Sequence, residues 1–245
     1  MADFVLRVGS RSVQGKRSNN EDRCVVDLGN RLFLVADGMG GQERGELASG
    51  LAADIIPKVV SDRLAAAFPV EKAVTDAFDR ANAAILDAGR DQPEGRRMGT
   101  TAVCALHQNG KVYVAGLGDS RAYLIRGDQV DLLTVDHSVA NALVLCGALT
   151  KEEAKTSPYN HVLHKFLGCA NMHEGAEVSP FVPEAGDRLL LASDGLTNHV
   201  EDEDLVEGSK RYADPQEWAD TLISAALERG SRDNVTCIVV YFDPD

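Results

Sequence analysis

The chain has 245 residues, of which 44% are hydrophobic and 26% are charged. This composition is that of an ordinary globular protein and excludes disordered, collagen-like and fibrous classes. The length favours one large domain, which we expect to span residues 1–245. The 38 acidic residues outnumber the 25 basic ones and give a formal net charge of −13. Such an acidic surface repels a phosphate backbone and argues against nucleic-acid binding.

The sequence predicts neither a membrane span nor a secretion signal. No apolar run reaches the roughly 18 residues that a membrane-spanning helix needs. Residues 1–7 lack the basic and apolar regions of a signal peptide. The five cysteines are scattered and form no Cys-x-x-Cys pair, which favours reduced thiols, most of them in the core, over disulfides or a zinc site. We therefore expect a cytoplasmic protein that makes no contact with a membrane.

The first half of the chain predicts one strand and two long helices. The short apolar run at residues 31–36 predicts a buried strand that enters a tight turn at the Asp-Gly-Met-Gly-Gly segment of residues 37–41. The helices are expected at residues 43–68 and 70–88. Apolar residues recur every four positions in both: Leu47, Leu51, Ile55 and Val59 in the first, and Ala73, Ala77, Ala81 and Ile85 in the second.

The hydrophobic period then changes to that of strands. Short β-branched runs predict strands at residues 100–106, 111–116 and 120–126, separated by turns. The remaining elements are helices at 138–146 and 151–155, an irregular surface flap at 156–175 within a flap region of about 138–176, a strand at 187–192, a helix at 215–229 and a strand at 235–242. Two helices in succession cannot serve as separate βαβ crossovers, so the order favours an α+β fold of antiparallel sheets covered by helices.

Aspartates close to Gly or Asn, at turns that end or border the apolar strands, carry the chemical signal. They are Asp22, Asp37, Asp119, Asp194 and Asp233. If the strands end at one edge, these carboxylates converge, and each close pair repels by about 4 kcal/mol at an effective dielectric constant of about 20. Mg²⁺ or Mn²⁺ suits such an oxygen-only cluster, and two such ions can promote phosphoester hydrolysis. Aspartate is also common in ordinary turns, so spacing alone leaves both interpretations open.

Six motifs follow one another along the chain. They are GKRSNNED at 15–22, VADGMGG at 35–41, MGTT at 98–101, GLGDSR at 116–121, SDGL at 193–196 and GSRDN at 230–234. Together they resemble the metal-dependent protein phosphatase (PPM) family, the type 2C serine/threonine phosphatases, in its compact bacterial form. The resemblance covers nearly the whole chain. It implies a four-layer αββα sandwich, in which two antiparallel β-sheets are flanked by pairs of antiparallel helices, with a binuclear metal centre at one edge.

The resemblance also implies a catalytic centre that holds two Mn²⁺ or Mg²⁺ ions. By the family pattern, Asp37 bridges the two ions and the Gly38 carbonyl binds one of them. Asp194 and Asp233 complete the shell of the first ion. Water activated between the ions attacks phosphorus directly, without a phosphoenzyme. Arg17 matches the arginine that holds the substrate phosphate, and its planar guanidinium suits two phosphate oxygens.

Three further acidic residues match positions around this centre. Glu21 and Asp22 correspond to residues that bind the ions through water. Asp119 matches the ligand of a third, weaker ion, which it shares with Asp194. The resemblance therefore implies two ions with a third, weaker site.

The sequence departs from the family pattern in two places. Met39 stands where some animal members carry a histidine that protonates the leaving group, and a thioether cannot donate a proton. We therefore expect a metal-bound water to act as the acid. In the flap, Asn160 stands near the usual arginine and Lys165 where arginine or glutamine is common. His161 beside them is a candidate for substrate binding and proton transfer, although a loop histidine is more often a surface residue.

Two other family-like residues are expected to serve the fold. We expect Arg121, in Gly-Asp-Ser-Arg, to be an ion-pair partner rather than a substrate contact. We expect His137, in Asp-His-Ser, to tie a strand end to the following helix.

The sequence thus predicts a metal-dependent protein serine/threonine phosphatase that acts in signalling. Its partners would be phosphorylated proteins, in opposition to a serine/threonine kinase, and we expect a monomer. Two other functions stay open. One is a phosphoprotein-binding regulatory module of the same fold with low turnover. The other is a metallohydrolase of small phosphate esters, which the low aromatic content of 5% disfavours for nucleotides.

Overall fold

Eleven strands and seven helices make up the part of the chain that the computed structural model describes, which is residues 4–40, 43–90, 98–170 and 175–245. The strands are β1 (Phe4–Val13), β2 (Asp22–Asp27), β3 (Leu32–Met39), β4 (Gly99–Thr100), β5 (Ala102–Gln108), β6 (Lys111–Leu117), β7 (Arg121–Arg126), β8 (Gln129–Leu132), β9 (Glu177–Phe181), β10 (Arg188–Ala192) and β11 (Val235–Pro244). The helices are α1 (Glu43–Ala65), α2 (Val70–Ala88), α3 (Val139–Leu145), α4 (Lys151–Lys155), α5 (Asp194–Thr197), α6 (Asp202–Arg211) and α7 (Pro215–Glu228).

The strands form two antiparallel sheets. The first sheet has the order β1-β11-β10-β7-β8, and the second has the order β2-β3-β5-β6-β9 with β4 paired to β3. Every strand pairing in both sheets is antiparallel. The sequence prediction of an α+β fold with two antiparallel sheets is confirmed.

Buried side chains form three apolar layers because successive residues of a strand point to opposite faces. Phe33 on β3 and Leu189 on β10 belong to the layer between the two sheets. Leu34 belongs to the layer shared with α1 and α2. Leu190 belongs to the layer shared with α6 and α7, around Trp218. The four-layer αββα arrangement therefore follows from alternation along buried strands with apolar residues on both faces.

The buried face of helix α1 is shifted by one residue from the apolar series that the sequence analysis predicted. Leu47 is 48% exposed, and the other three residues of that series are only partly buried. The side chains without exposed area are Ala48, Ala52, Ile56 and Val60. Small alanine side chains allow the helix to lie close to the second sheet, and the larger residues then lie beside the contact. In α2 the predicted residues Ala73, Ala77, Ala81 and Ile85 are all fully buried.

Several elements lie outside the sequence prediction or differ from it. Strands β1, β2, β8 and β9 and helix α6 were not predicted as elements. Helix α6 is highly polar, and its only large apolar side chains are the adjacent Leu205 and Val206, too few to show a recurring pattern in the sequence. The strand predicted at residues 31–36 is longer than expected, because β3 continues through Asp37 and Gly38 to Met39, where β4 pairs with it.

The cysteines are less buried than predicted. Cys104 and Cys237 are buried, Cys24 and Cys169 are intermediate, and Cys146 is exposed. All five are free thiols, as expected for a chain without a disulfide framework. The prediction that most of them lie in the core is wrong, because Cys24 belongs to the edge strand β2 and Cys146 and Cys169 belong to the flap region. Among the described residues, no helix has the length and apolar character needed to cross a membrane.

The flap region packs over the loop end of the second sheet. Its two predicted helices correspond to α3 and α4, and residues 156–170 are irregular. Isolated bridges join Ser138 to Leu163 and Thr100 to Leu167. Residues 171–174 of the predicted flap, and Gly41 of the second motif, lie outside the described residues.

Helix α6 packs against α7 at a glycine. A Cβ atom on Gly208 would collide with the indole Nε1 of the buried Trp218. Gly50, in α1, faces open space, so a Cβ atom there meets no other atom within 4 Å. Both glycines lie inside helices, where alanine is intrinsically favoured by about 0.5–1 kcal/mol.

We therefore predict that Gly208→Ala and Gly50→Ala change stability in opposite directions. Gly208→Ala should lower the free energy of unfolding by about 1–3 kcal/mol because it overpacks the α6–α7 contact. Gly50→Ala should raise it by about 0.5–1 kcal/mol because only the helix propensity changes. Urea unfolding monitored by tryptophan fluorescence measures both. Equal effects of the two variants would contradict the packing argument.

Candidate functional site

A cavity of about 380 Å³ lies where loops of both sheets meet. Most of the residues that the sequence singles out line it: Arg17, Glu21, Asp37, Gly38, Asp119, His161, Asp194 and Asp233. These residues are up to 216 positions apart in the chain. Met39, Thr101 and Asn234 complete much of the wall. Asp22 does not line the cavity but lies behind it, almost fully buried.

The second sheet places two carboxylates opposite each other. Asp22 on β2 and Asp37 on β3 are direct partners in the antiparallel register. Directly opposite residues of an antiparallel pair have neighbouring side chains, and like charges there are destabilising. Gly38 N donates to Glu21 O at 3.2 Å, so the backbone of Glu21 is tied to the same strand. This strand pair therefore holds three acidic side chains near one another.

Asp22 connects the two sheets. Ser193, at the end of β10, donates its hydroxyl to Asp22 Oδ2 at 2.8 Å, and both side chains are buried. Thr236 N on β11 donates to Ser193 Oγ at 3.1 Å. The other carboxylate oxygen, Asp22 Oδ1, is buried without a hydrogen-bond partner. A buried carboxylate oxygen without a partner is unfavourable unless a cation, a proton or an ordered water satisfies it.

Burial and mutual repulsion raise the pKa values of several of these carboxyl groups. Burial raises the pKa of Asp119 to about 7, assisted by the charge of Asp194. Burial also raises the pKa of Asp22 to about 6. The pKa of Asp37 lies well above its ordinary value because of burial, followed by the charges of Asp22 and Asp194. The site therefore disfavours the ionised carboxylates unless positive charge is supplied.

Arg17 and Asn234 organise the loop that enters β2. Arg17 Nη2 donates to Asp233 Oδ2 at 2.6 Å. The Asn234 side chain accepts from Glu21 N at 2.8 Å and donates to Gln14 O and Asn19 O, each at 2.9 Å. One buried amide thus holds residues on both sides of Arg17 beside the turn that carries Asp233. Arg17 remains 59% exposed, so its guanidinium borders the open cavity.

Glycines allow Glu21 to lie against the start of α1. A Cβ atom on Gly45 would collide with Glu21 Oε2, and one on Gly38 would collide with Gly45 O. Burial raises the pKa of Glu21 above its ordinary value. Any side chain at Gly38 or Gly45 would therefore push β3, α1 and Glu21 apart.

The first sheet and the flap supply Asp194 and His161. Asp194 begins α5, directly after β10 and Ser193. His161 Nδ1 lies 3.8 Å from Asp194 Oδ2, and this contact raises the pKa of the imidazole. The neighbouring Asn160 lines an adjacent groove but not the carboxylate cavity. Burial lowers the pKa of His137, and the charge of the nearby Lys165 lowers it further.

The donor set fits divalent cations that prefer oxygen. The charged lining residues are mainly carboxylates, and Asp22 Oδ1 behind them lacks a partner. Within the described ranges, no three His, Cys, Asp or Glu side chains already converge as a ready metal-binding group. Mg²⁺ keeps several waters and uses few protein ligands. Its binding therefore does not require a tight cluster of three carboxylates.

Comparison with known proteins identifies the family. The family model described as protein phosphatase 2C matches residues 10–229. The chain belongs to the protein phosphatase 2C family. It is 34% identical over 232 residues to the serine/threonine phosphatase stp of Listeria innocua, covering 91% of this chain and 90% of that protein. It is 37% identical over 242 residues to the serine/threonine protein phosphatase PstP of Mycobacterium tuberculosis, covering 96% of this chain and 45% of that longer protein.

A solved structure relates this family to manganese. The catalytic domain of the serine/threonine protein phosphatase PstP, in complex with two manganese ions, has a TM-score of 0.84 and 33% sequence identity to this chain. The match covers 98% of this chain and 100% of that one. The predicted protein phosphatase 2C family, fold class and enzyme class are confirmed.

Three residues that support the site had no assigned role in the sequence prediction. They are Ser193, Asn234 and Thr101, which hydrogen-bond to Asp22, to the Glu21 loop and to the Asp37 backbone respectively. Each lies inside a predicted motif, next to or near a carboxylate, and that proximity is the signal that could have found them. Arg121 is in an ion pair with Asp136, at 2.6 Å, as expected.

The raised pKa values predict how pH affects metal binding. Some carboxyl groups have a higher pKa in the folded than in the unfolded protein, where it is near 3.9. Such a group contributes stability at pH values below the unfolded pKa. This contribution is lost as the pH rises through the folded pKa, which is about 7 for Asp119. Protons and cations compete for the same carboxylates. Bound Mn²⁺ should therefore stabilise the protein more at about pH 8 than at about pH 6.

Thermal unfolding with Mn²⁺ or EDTA at these two pH values tests this prediction. We expect the Mn²⁺-induced rise in Tm to be larger at the higher pH and to shrink in Asp37→Asn. The EDTA-treated Asp37→Asn variant should be at least as stable as the EDTA-treated wild type, because one repelling charge is removed. A Tm rise that is the same at both pH values would contradict the competition argument.

Proposed function

We propose that this chain hydrolyses phosphoserine and phosphothreonine esters of proteins in the presence of Mn²⁺ or Mg²⁺. The observation that carries the proposal is the cavity lined by carboxylates from both sheets with Arg17 at its border. The family relationship supports the reaction class. The whole of residues 1–245 would serve as one catalytic domain, with the flap of about 138–176 beside the cavity.

The ligand assignment is the one that the family pattern implies, and the positions of the carboxylates around the cavity are compatible with it. Asp37 would be shared by two ions, and the Gly38 carbonyl would bind one of them. Asp194 and Asp233 would complete the ligand set of the first ion. When bound, such a pair of cations lowers the pKa of water and offsets the charge of the phosphate. Mn²⁺ and Mg²⁺ both suit this set of oxygen donors.

The remaining acidic residues would act around this centre. Glu21 and Asp22 would bind through water, which suits the recessed position of Asp22 and its unpartnered Oδ1. Asp119 would hold a third, weaker ion together with Asp194. The two are close enough for the charge of Asp194 to raise the pKa of Asp119. The buried side of the site would thus hold waters, and the open side would receive the substrate.

Arg17 would hold the substrate phosphate. Its Nη2 donates to Asp233 in this structure, and guanidinium groups offer several N–H donors in one plane. A phosphate that enters the cavity would share Arg17 with Asp233 or replace it. Arg17 would therefore orient the phosphorus toward the carboxylate centre.

His161 would contact the substrate from the flap side. Its imidazole is 68% exposed, lies beside Asp194 and lines the cavity. A protonated imidazole could donate a proton to the leaving serine or threonine oxygen. Met39 also lines the cavity but has no proton to donate.

The partners would be phosphorylated proteins in a signalling system that also contains a serine/threonine kinase. The net charge of −13 does not favour long-range attraction of acidic phosphoproteins. Recognition would therefore depend on local contacts at Arg17 and the cations. We propose that the catalytic domain acts as a cytoplasmic monomer of bacterial origin.

Phosphate release from a phosphothreonine peptide tests the proposed function. We expect turnover with Mn²⁺, none with EDTA, and a loss of at least about a hundredfold in kcat for Asp37→Asn, in line with the removal of a central electrostatic group. Asp131→Asn, an exposed position on β8, is the matched control and should keep wild-type turnover. A protein that binds Mn²⁺ and phosphopeptide but releases no phosphate would instead be the regulatory module. Faster hydrolysis of small phosphomonoesters than of phosphoproteins would indicate the small-ester enzyme.

A second prediction concerns His161. We expect His161→Ala to lower kcat on the phosphopeptide by about tenfold to a hundredfold, the lower part of the range for general acid–base groups. His199→Ala is the matched control, because His199 lines the adjacent groove but not the carboxylate cavity. Wild-type kcat in His161→Ala would show that His161 is an ordinary surface residue.

A further inference from the structure

Thr101 holds the backbone of Asp37 from two sides. Thr101 N donates to Asp37 O at 2.8 Å, and Asp37 N donates to Thr101 Oγ1 at 3.0 Å. The neighbouring Thr100 also donates its hydroxyl to Asp37 O, at 2.8 Å. The peptide groups on both sides of the Asp37 side chain are therefore anchored by the segment between β4 and β5.

The same threonine contacts the loop that carries Asp119. Thr101 Oγ1 lies 2.6 Å from Ser120 Oγ, and both side chains are only 2% exposed. A Cβ atom on Gly118 would lie 2.6 Å from Thr101 Cγ2. Gly118 also has a φ of +99°, which favours glycine. The loop thus lies against both the methyl and the hydroxyl of Thr101.

His137 holds this loop from the other side. His137 N donates to Gly118 O at 2.9 Å, and His137 Nδ1 lies 3.2 Å from both Gly118 N and Gly118 O. The residues on either side of Asp119 are therefore each fixed by a separate contact, Gly118 by His137 and Ser120 by Thr101. The Asp119 backbone is held even though its carboxyl group lies near other acidic side chains.

The hydrogen-bond directions make Thr101 and Ser120 a continuous connection. Thr101 Oγ1 accepts the Asp37 amide hydrogen, so its own hydrogen is available for Ser120 Oγ. The connection runs from the main chain of Asp37 to the residue that follows Asp119. Because buried hydrogen bonds are directional and are not replaced by water, this connection limits the separation of the two carboxylates.

We propose that Thr101 and Ser120 form a buried hydroxyl bridge that sets the spacing of Asp37 and Asp119 for binding neighbouring cations. Both are positioning residues that act through these two carboxylates, and the inference rests on the proposed function. Asp119 is close enough to Asp37 to interact with it electrostatically, and without cations such carboxylates repel each other. The bridge opposes this repulsion and keeps the loop of Asp119 in place before an ion binds.

Mn²⁺ binding to the Ser120→Ala variant tests the bridge. We expect the dissociation constant of the weakest-bound ion, followed by the electron paramagnetic resonance signal of free Mn²⁺, to rise by about tenfold, as for other groups that orient metal ligands. KM for the phosphopeptide at saturating Mn²⁺ should stay within about twofold of wild type, because Arg17 is not affected. Ser209→Ala, a partly buried serine on α6, is the matched control and should bind Mn²⁺ as wild type does.

A double-variant comparison separates positioning from general loss of structure. If Ser120 acts through Asp119, Ser120→Ala should weaken Mn²⁺ binding much less in an Asp119→Asn background than in wild type. Thr101→Ser keeps the hydroxyl and should retain most of the Mn²⁺ affinity, whereas Thr101→Val removes it. If Thr101→Val does not fold, Ser120→Ala alone decides the question. Unchanged Mn²⁺ affinity in Ser120→Ala, or an equal loss in both backgrounds, would overturn the proposal.

These measurements distinguish the bridge from the proposed function. If wild-type protein binds Mn²⁺ but releases no phosphate from the peptide, the proposed function fails while the binding comparison still decides the bridge. If wild-type protein hydrolyses the peptide and Ser120→Ala binds Mn²⁺ normally, the bridge fails while the function stands. Wild-type protein that binds no Mn²⁺ would overturn both.

Discussion

The repulsion between carboxylates held at one cavity is the constraint on which this structure depends. Burial raises the pKa values of Asp37 and Asp119, and the nearby charge of Asp194 raises both further. A chain can keep such groups together only if a rigid scaffold resists their separation. A divalent cation relieves this repulsion when it binds. The repulsion therefore both destabilises the metal-free site and favours metal binding.

The two-sheet scaffold supplies this resistance because each sheet carries part of the site. Asp37 lies on β3 of the second sheet, and Asp194 follows β10 of the first. The apolar layer between the sheets fixes their separation. At the cavity itself, the hydrogen bond from Ser193 to Asp22 joins the sheets directly. The cavity is therefore the place where movement between sheets would be most disruptive, and a polar contact limits it.

The buried polar groups in the cavity wall share one arrangement. Asn234 holds the backbone around Arg17 and Glu21, and the hydroxyl of Thr101 joins Asp37 to Ser120. Each of these groups is buried and contacts main-chain or hydroxyl groups rather than the cavity centre. The carboxylates are thus free to bind cations while their backbones are fixed. The flap differs, because His161 is exposed and makes its contact with Asp194 through a side chain alone.

The sequence by itself determined the type of most elements, because apolar periodicity is a local signal. The carboxylates of the cavity were singled out by the resemblance of six motifs to a family, since their spacing alone left an ordinary turn role open. Only the tertiary structure decided which residues of α1 are buried, since that depends on how closely Ala48 lies to the sheet. It also decided that β3 continues through Asp37, because β4 pairs with it. The contacts of Ser193 and Asn234 join residues more than 170 positions apart. No local pattern encodes such contacts, because they exist only when both sheets are assembled.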